Sequence, residues 1–351
     1  MGLFTALLAL SFLIFFHELG HFLAARFFGV KVEVFSIGFG KKLLKKTYKG
    51  TEYAISLIPL GGYVKMKGQD DSDPLAQNSD SDSYTSKRPI QRIVILLAGP
   101  LFNILLAFFV YIALAYGKQQ VLLPTLGEPI QGMPAQKAGL LEGDEILAID
   151  AKPVKTWFDA AEMIAEAKGG MVLRIKRGES VFEIGILPQT MERQNIFGEK
   201  VSTPVLGIKP LGEVGIVHYG WFDAFVLGAE QTLSNGMLII QGVQKLLSGV
   251  VPTSDVGGVI SIVQVMDKAQ ESGWLRFLSL VALISINLGI LNLLPIPALD
   301  GGHILLNLYE MLTRKTPSPN VLYYLTLFGW MLLLALMALG LYNDMHRIFG
   351  G

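Results

Sequence analysis

Four long apolar stretches set the first limit on what this chain can become. Leu3 to Phe16 is apolar except for Thr5 and Ser11, and after a short polar interruption the pattern resumes as far as Phe28. Ile93 to Tyr116, Leu278 to Leu294 and Val321 to Tyr342 are the others, the third being the least regular. Helices of about 20 apolar residues cross the hydrocarbon core of a bilayer, so a polytopic α-helical membrane protein with about four transmembrane helices is predicted. Composition agrees: of 351 residues 51% are hydrophobic and only 17% charged, well away from the balance of a soluble domain. The first stretch has no basic region before it and no clear small-residue cleavage pattern after it, so it is expected to be retained rather than removed as a signal. The formal net charge is zero, which offers no basic footprint for nucleic acid, and none is expected as a partner. Cysteine is absent. Disulfides and thiolate metal ligands are thereby excluded, leaving histidine and carboxylates to bind any transition metal.

Basic residues in short loops report orientation. Lys31, Lys41, Lys42, Lys45, Lys46, Lys49, Lys65, Lys67, Lys87, Arg88 and Arg92 lie between the first two spans, and Arg314 and Lys315 between the last two. Both loops are therefore expected in the cytoplasm, with the termini and the stretch from Lys118 to Arg276 outside it. Lys31–Phe39 and Thr51–Lys67 alternate and carry β-branched and aromatic residues, which predicts membrane-associated β-hairpins. Gly38, Gly40, Gly61 and Gly62 permit sharp bends or close backbone approach there, and Asp70–Ser86 is expected to be a polar, mobile loop.

Within the exported stretch, Glu128–Asp150 holds small residues at Ala135 and Ala138-Gly139 and a Gly143-Asp144 turn leading into Glu145–Ile149. A helical Asp159–Lys168 and a strand-like Val172–Arg177 follow. This order resembles a PDZ domain, an α+β fold whose sheet edge takes up an extended peptide or a carboxyl terminus. A small β domain that merely spaces two membrane helices is the alternative. From Trp221 to Leu247, apolar residues recur at helical spacing among Asp223, Glu230, Gln231, Asn235, Gln241 and Gln244. That pattern suits a helix lying on the membrane or against the PDZ-like domain, with packing in a core as the other reading.

The chemistry concentrates in two places. His17-Glu18-Leu19-Gly20-His21 is an HExxH motif: on a helix the two imidazoles stand one turn apart on one face and can share a zinc ion, while Glu18 lies beside them to take a proton from the activated water. The bare pattern is weak, but it sits about 20 Å along a membrane span, where ionisable groups cost several kcal/mol and are rarely decorative. Zinc hydrolases need a third protein ligand. The run Asn292-Leu293-Leu294-Pro295-Ile296-Pro297-Ala298-Leu299-Asp300-Gly301-Gly302-His303 supplies candidates in Asp300 and His303, and its two prolines and paired glycines break a helix at membrane depth. Spans one and three enter from the same side, which puts both motifs in the same half of the bilayer. His218 and His346 lie near span boundaries without partner acids and are expected to be interfacial.

The HELGH run, Gly38-Phe39-Gly40, Ala98-Gly99-Pro100 with Asn103, the PDZ-like segment and the Asn292–His303 run together resemble the site-2 protease family over nearly the whole chain. The regulator-of-sigma-E type is the nearest in pattern, although its well-known members carry two PDZ domains and one is found here. The resemblance implies an intramembrane zinc metalloendopeptidase of a bacterial inner membrane, with its active site toward the cytoplasm and the PDZ-like domain outside. It implies Zn2+ held by His17, His21 and Asp300, and Glu18 as general base. Asn292, Pro295 and Pro297 are then associated with substrate handling, and the hairpin region around Gly38 and Gly40 with pairing to the substrate chain, for which an edge strand within Thr51–Val64 is the expected site. The expected substrates are single-span membrane proteins. The domains expected are a first half of the membrane core (1–117), a PDZ-like domain (118–212), amphipathic linker helices (213–276) and a second half of the core (277–351). A membrane transporter or metal-handling protein is the alternative; it predicts internal repeats, and none is seen.

Overall fold

The computed structural model describes residues 2–69 and 80–350. Helix α1 (Gly2–Phe27) leads into two long strands, β1 (Val32–Tyr48) and β2 (Thr51–Met66), and then helix α2 (Pro89–Ala115). Strand β3 (Gly117–Leu122), the single turn α3 (Pro134–Lys137), β4 (Glu145–Ile149), β5 (Lys152–Pro153) and helix α4 (Trp157–Ala165) come next. Strands β6 (Met171–Arg177), β7 (Ser180–Ile186), β8 (Gln189–Gln194), β9 (Lys200–Val205) and β10 (Val214–Tyr219) follow. Helices α5 (Trp221–Leu247), α6 (Val259–Glu271), α7 (Trp274–Asn292), α8 (Asp300–Thr313) and α9 (Pro319–Phe349) complete the chain.

Among the described residues four helices are long and apolar enough to cross a membrane: Phe4–Phe27, Pro89–Ala115, Trp274–Asn292 and Asn320–Phe349. They are the four stretches anticipated from hydropathy. The chain divides into two compact units, one of residues 1–114, 225–246 and 252–351, the other of residues 115–224 and 247–251.

In the first unit, α1 and α2 meet without side chains between them. A methyl group on Gly20 would fall 2.3 Å from the Ala98 carbonyl oxygen, so only glycine fits there. Apolar surface alone does not bring helices together in lipid; small residues that let backbones touch do. Helix α7 joins by the same device, since a methyl on Gly289 would lie 2.8 Å from the Pro100 carbonyl oxygen. Helix α5 follows suit. A methyl on Gly228 would lie 2.7 Å from the Ile112 side chain, the Cβ position of Gly236 is 3.5 Å from Ile290, and Asn235 Nδ2 donates to Tyr111 Oη at 2.8 Å. The Phe225–Leu246 part of α5 therefore packs in the helical core against α2 and α7, the second of the two readings of its pattern. Helix α6 places Met266 among Ala6 and Leu13 of α1 and Phe277 and Val281 of α7.

Strands β1 and β2 pair in more than a simple hairpin. Glu52, Tyr53, Ala54 and Ile55 each have two partners, Val34–Ile37 on one side and Leu44–Thr47 on the other. Gly38 and Gly40, at φ of +90° and +82°, turn β1 between these two halves. Gly62, Tyr63 and Val64 lie on the far side of Ile37, Ser36 and Phe35 and form a rim of the sheet. The open edge expected within Thr51–Val64 thus excludes Glu52–Ile55, whose two sides are both taken. Phe15 and Phe22 of α1 pack edge-on against Phe35, which fixes the sheet to the first helix. Of the polar loop expected at Asp70–Ser86, residues 70–79 lie outside the described residues, whereas Lys67 binds Asp80 and Asp82 and Tyr84 is buried with Val30, Met66 and Ile95.

The second unit is built on a four-stranded sheet in the order β5-β4-β6-β7. Its alternating inner residues Ile146, Leu173 and Ile175 pack on Leu126, Leu140, Leu206 and Ile164 of α4. Helix α4 starts at a capping box formed by Thr156 and Asp159. Strand β10 pairs with β3, so the stretch expected to be linker from 213 onward begins as sheet in this unit. At the Gly143–Asp144 turn the fully buried Asp144 carboxylate accepts two bonds from Arg177, both at 2.7 Å, and one from the Leu141 N–H at 2.9 Å. Burial pushes this carboxyl up, but the guanidinium and the N–H outweigh it and hold it below the usual carboxylate range. A depressed folded value means the stabilisation is complete above the unfolded value of about 3.9 and is lost as pH falls through the folded one. Hydrogen exchange on the full chain is therefore expected to show β4 and β6 amides protected at neutral pH and opening below about pH 4. Arg177→Ala is expected to lower the protection of the same amides at neutral pH; unchanged protection in the variant would contradict this role.

Candidate metal centre

The HExxH residues lie in the fifth and sixth turns of α1, within the span Phe4–Phe27. Helical spacing puts His17 and His21 on one face, with ring centroids 4.8 Å apart and Nε2 atoms 3.2 Å apart. Asp300 arrives from the other end of the sequence. Helix α7 ends at Asn292, the chain runs through Pro295 and Pro297, and α8 begins at Asp300. The glycines after Asp300 allow this return. Methyls on Gly301 and Gly302 would fall 2.3 Å from the Leu293 carbonyl oxygen and 2.2 Å from that of Ile296, so α8 starts pressed against the loop that precedes it. Arg92 of α2 binds Glu310 of α8 at 2.6 Å, a brace between those two helices.

Asp300 Oδ2 thereby reaches 3.2 Å from His17 Nε2 and 3.4 Å from His21 Nε2. This oxygen is buried and makes no hydrogen bond among the described residues. The donor set fits zinc: metal–ligand distances of about 2.0–2.1 Å at tetrahedral angles put ligand atoms about 3.3 Å apart, and the three spacings are 3.2, 3.2 and 3.4 Å. Among the described residues this is the one group of three histidine or acidic side chains so placed, and His303 is not part of it.

Helix α2 shapes the site from behind. His21 Nδ1 lies 2.9 Å from the Ile95 carbonyl oxygen, so the ring donates there and keeps the Nε2 lone pair for the centre. A methyl on Gly99 would fall 2.2 Å from His21 Nε2; the imidazole rests directly on the α2 backbone. On the other flank, a methyl on Gly62 of β2 would lie 3.2 Å from Glu18 Cγ, so the rim of the sheet runs past the glutamate. Asn292 closes α7, Pro295 and Pro297 sit on the loop that delivers Asp300, and Gly38 and Gly40 at the bend of β1. The Ile95 carbonyl and the seats at Gly20, Gly99 and Gly62 were not identified as site elements from the sequence. A main-chain carbonyl carries no residue signature, although glycines opposite a motif-bearing span are a signal of close approach.

The family model of peptidase family M50 matches residues 5–336. The chain belongs to this family, the site-2 proteases. It is 45% identical to a Campylobacter jejuni protein over 99% of this chain and 94% of that one, and 42% identical to one from Helicobacter pylori over 98% and 99%. A Clostridium acetobutylicum protein is 34% identical over 95% of this chain and 94% of its own. Each is named "Putative zinc metalloprotease". The M50 chain is accordingly a zinc metallopeptidase and a membrane protein, and a transporter is not favoured. Because Gly99 abuts His21, Gly99→Ala in this M50 protein is expected to displace the ring by on the order of 1 Å and cut peptidase activity about 100-fold. Bound zinc, measured on the purified variant, is expected to fall with it while helix content by circular dichroism is retained. Wild-type zinc content in Gly99→Ala would rule out this seat for His21.

Proposed function

We propose that the protein is an intramembrane endopeptidase that hydrolyses peptide bonds within the transmembrane segments of single-span membrane proteins. One observation carries this reading: the two histidines of the centre lie inside a helix long and apolar enough to cross a membrane, and Asp300 follows closely on another. A catalytic group at that depth meets substrates that are themselves in the bilayer.

His17, His21 and Asp300 would hold the zinc ion. When bound there, zinc supplies Lewis acidity, polarising the scissile carbonyl and making water acidic enough to attack at neutral pH. Glu18 takes the proton from the attacking water and delivers it to the departing amine. A helical substrate hides its peptide bonds in its own hydrogen-bond ladder and must unwind first. The rim strand Gly62–Val64, beside Glu18, suits an extended segment by strand addition, with the bend at Gly38 and Gly40 setting the course of the sheet. Asn292 at the end of α7, and Pro295 and Pro297 between it and Asp300, are assigned to substrate backbone contacts.

The basic loops between the first and last pairs of spans support a centre toward the cytoplasmic side, by the positive-inside rule, in what we take to be a bacterial inner membrane. The second unit then lies outside the cytoplasm as a PDZ-like domain. Its four-stranded sheet and capped helix support that reading, and an extended peptide or carboxyl terminus is the partner it suits.

The test is reconstitution in liposomes with a model single-span substrate. Wild type is expected to cut within the span, with Glu18→Gln slower by at least about 100-fold and chelator-treated protein inactive until zinc is returned. Cleavage by Glu18→Gln at the wild-type rate, or cleavage only outside the substrate's span, would sink the proposal.

A further inference from the structure

Each imidazole that gives Nε2 to a cation is neutral, carries its proton on Nδ1, and must donate that proton to something. For His21 the acceptor is the Ile95 carbonyl. For His17 the neighbour is Asn103, two turns further along α2, whose Nδ2 lies 3.4 Å from His17 Nδ1. Asn103 is fully buried, and its side-chain oxygen has no hydrogen-bond partner among the described residues. Its main chain is fixed from outside, because Ser285 Oγ donates to the Asn103 carbonyl at 2.7 Å.

An amide NH2 facing an imidazole N–H sets two donors against each other, beside a buried oxygen that lacks a donor. Both faults are relieved by one motion. The two ends of a carboxamide have nearly the same shape, so a half-turn of the side chain exchanges them without displacing a neighbour.

We propose that Asn103 is a positioning residue of the metal centre: its Oδ1 accepts the Nδ1 proton of His17 and so fixes the tautomer and direction of that ring. The inference rests on His17 being a zinc ligand. It gives α2 a single role toward both histidines, with one main-chain and one side-chain acceptor on one face of the helix. Buried Asn103 lies behind the ring, on the side away from the centre.

The experiment uses the full chain purified in detergent, loaded with zinc and titrated with a competing chromogenic chelator. Asn103→Leu, which removes the acceptor, is expected to bind zinc about 10- to 100-fold more weakly than wild type. Asn103→Asp, which keeps an acceptor at the same reach, is expected to bind at least as tightly as wild type. Packing alone would not produce that order, since aspartate is no better a space-filler than leucine. Wild-type affinity in Asn103→Leu overturns the proposal, and so does loss in Asn103→Asp equal to that in Asn103→Leu. If Asn103→Leu does not fold, 15N spectra of histidine-labelled, zinc-loaded wild type decide: a His17 Nδ1 that is protonated and hydrogen-bonded supports the proposal, and one bound to metal or lacking a hydrogen bond overturns it. Wild type that takes up no zinc at all would overturn the metal centre itself, a result separable from any difference between variants.

Discussion

The contact on which the molecule turns is the bare crossing of α1 and α2. Gly20 meets the Ala98 carbonyl there, and Gly99 meets the imidazole of His21. In a bilayer there is no solvent to drive apolar helices together, so van der Waals contact between backbones has to do it, and residues without bulk make that contact possible. The same approach lets a main-chain carbonyl of α2 reach a ring of α1. Packing and chemistry therefore share their atoms. A side chain large enough to separate the helices also removes the acceptor that orients the ligand.

Around that crossing the remaining parts are placed by a small set of repeated devices. Glycine lets α7 and α5 approach α2, and glycine lets α8 fold back on the loop before it. Aromatic residues, by contrast, hold the sheet: Phe15, Phe22, Phe35 and Tyr53 form a cluster between α1 and the β strands. Close helix packing and edge-on ring packing meet on opposite sides of the first helix, and the histidine–glutamate motif lies between them.

Much of this could be read from the residues. Long apolar runs are an unambiguous signal, and all four spans fall where hydropathy places them. His17 and His21 follow from their spacing, and Asp300 from the improbability of an acid, two prolines and paired glycines at the end of a span. Other parts were less legible for definable reasons. The two-sided pairing of Glu52–Ile55 depends on the φ angles of Gly38 and Gly40, and a glycine's identity permits a bend without dictating one. Helix α5 carries enough polar residues to read as a surface helix, yet Asn235 is spent on Tyr111, while Gly228 and Gly236 lie against α2 and α7. Residues 80–86 look like free loop by composition, but Lys67 neutralises two of their acids and Tyr84 fills a hydrophobic site.

The three side chains that could hold a metal come from the first helix and from a segment about 280 positions away along the chain. Any cation gripped by both is a cross-link between remote parts of one polypeptide, closing a very long loop. Cross-links of that kind reduce the freedom of the unfolded chain more the longer the loop they close. Zinc held as proposed would therefore serve twice, as the hydrolytic centre and as a tie that adds to the glycine-packed crossings in keeping the two ends of the helical assembly together.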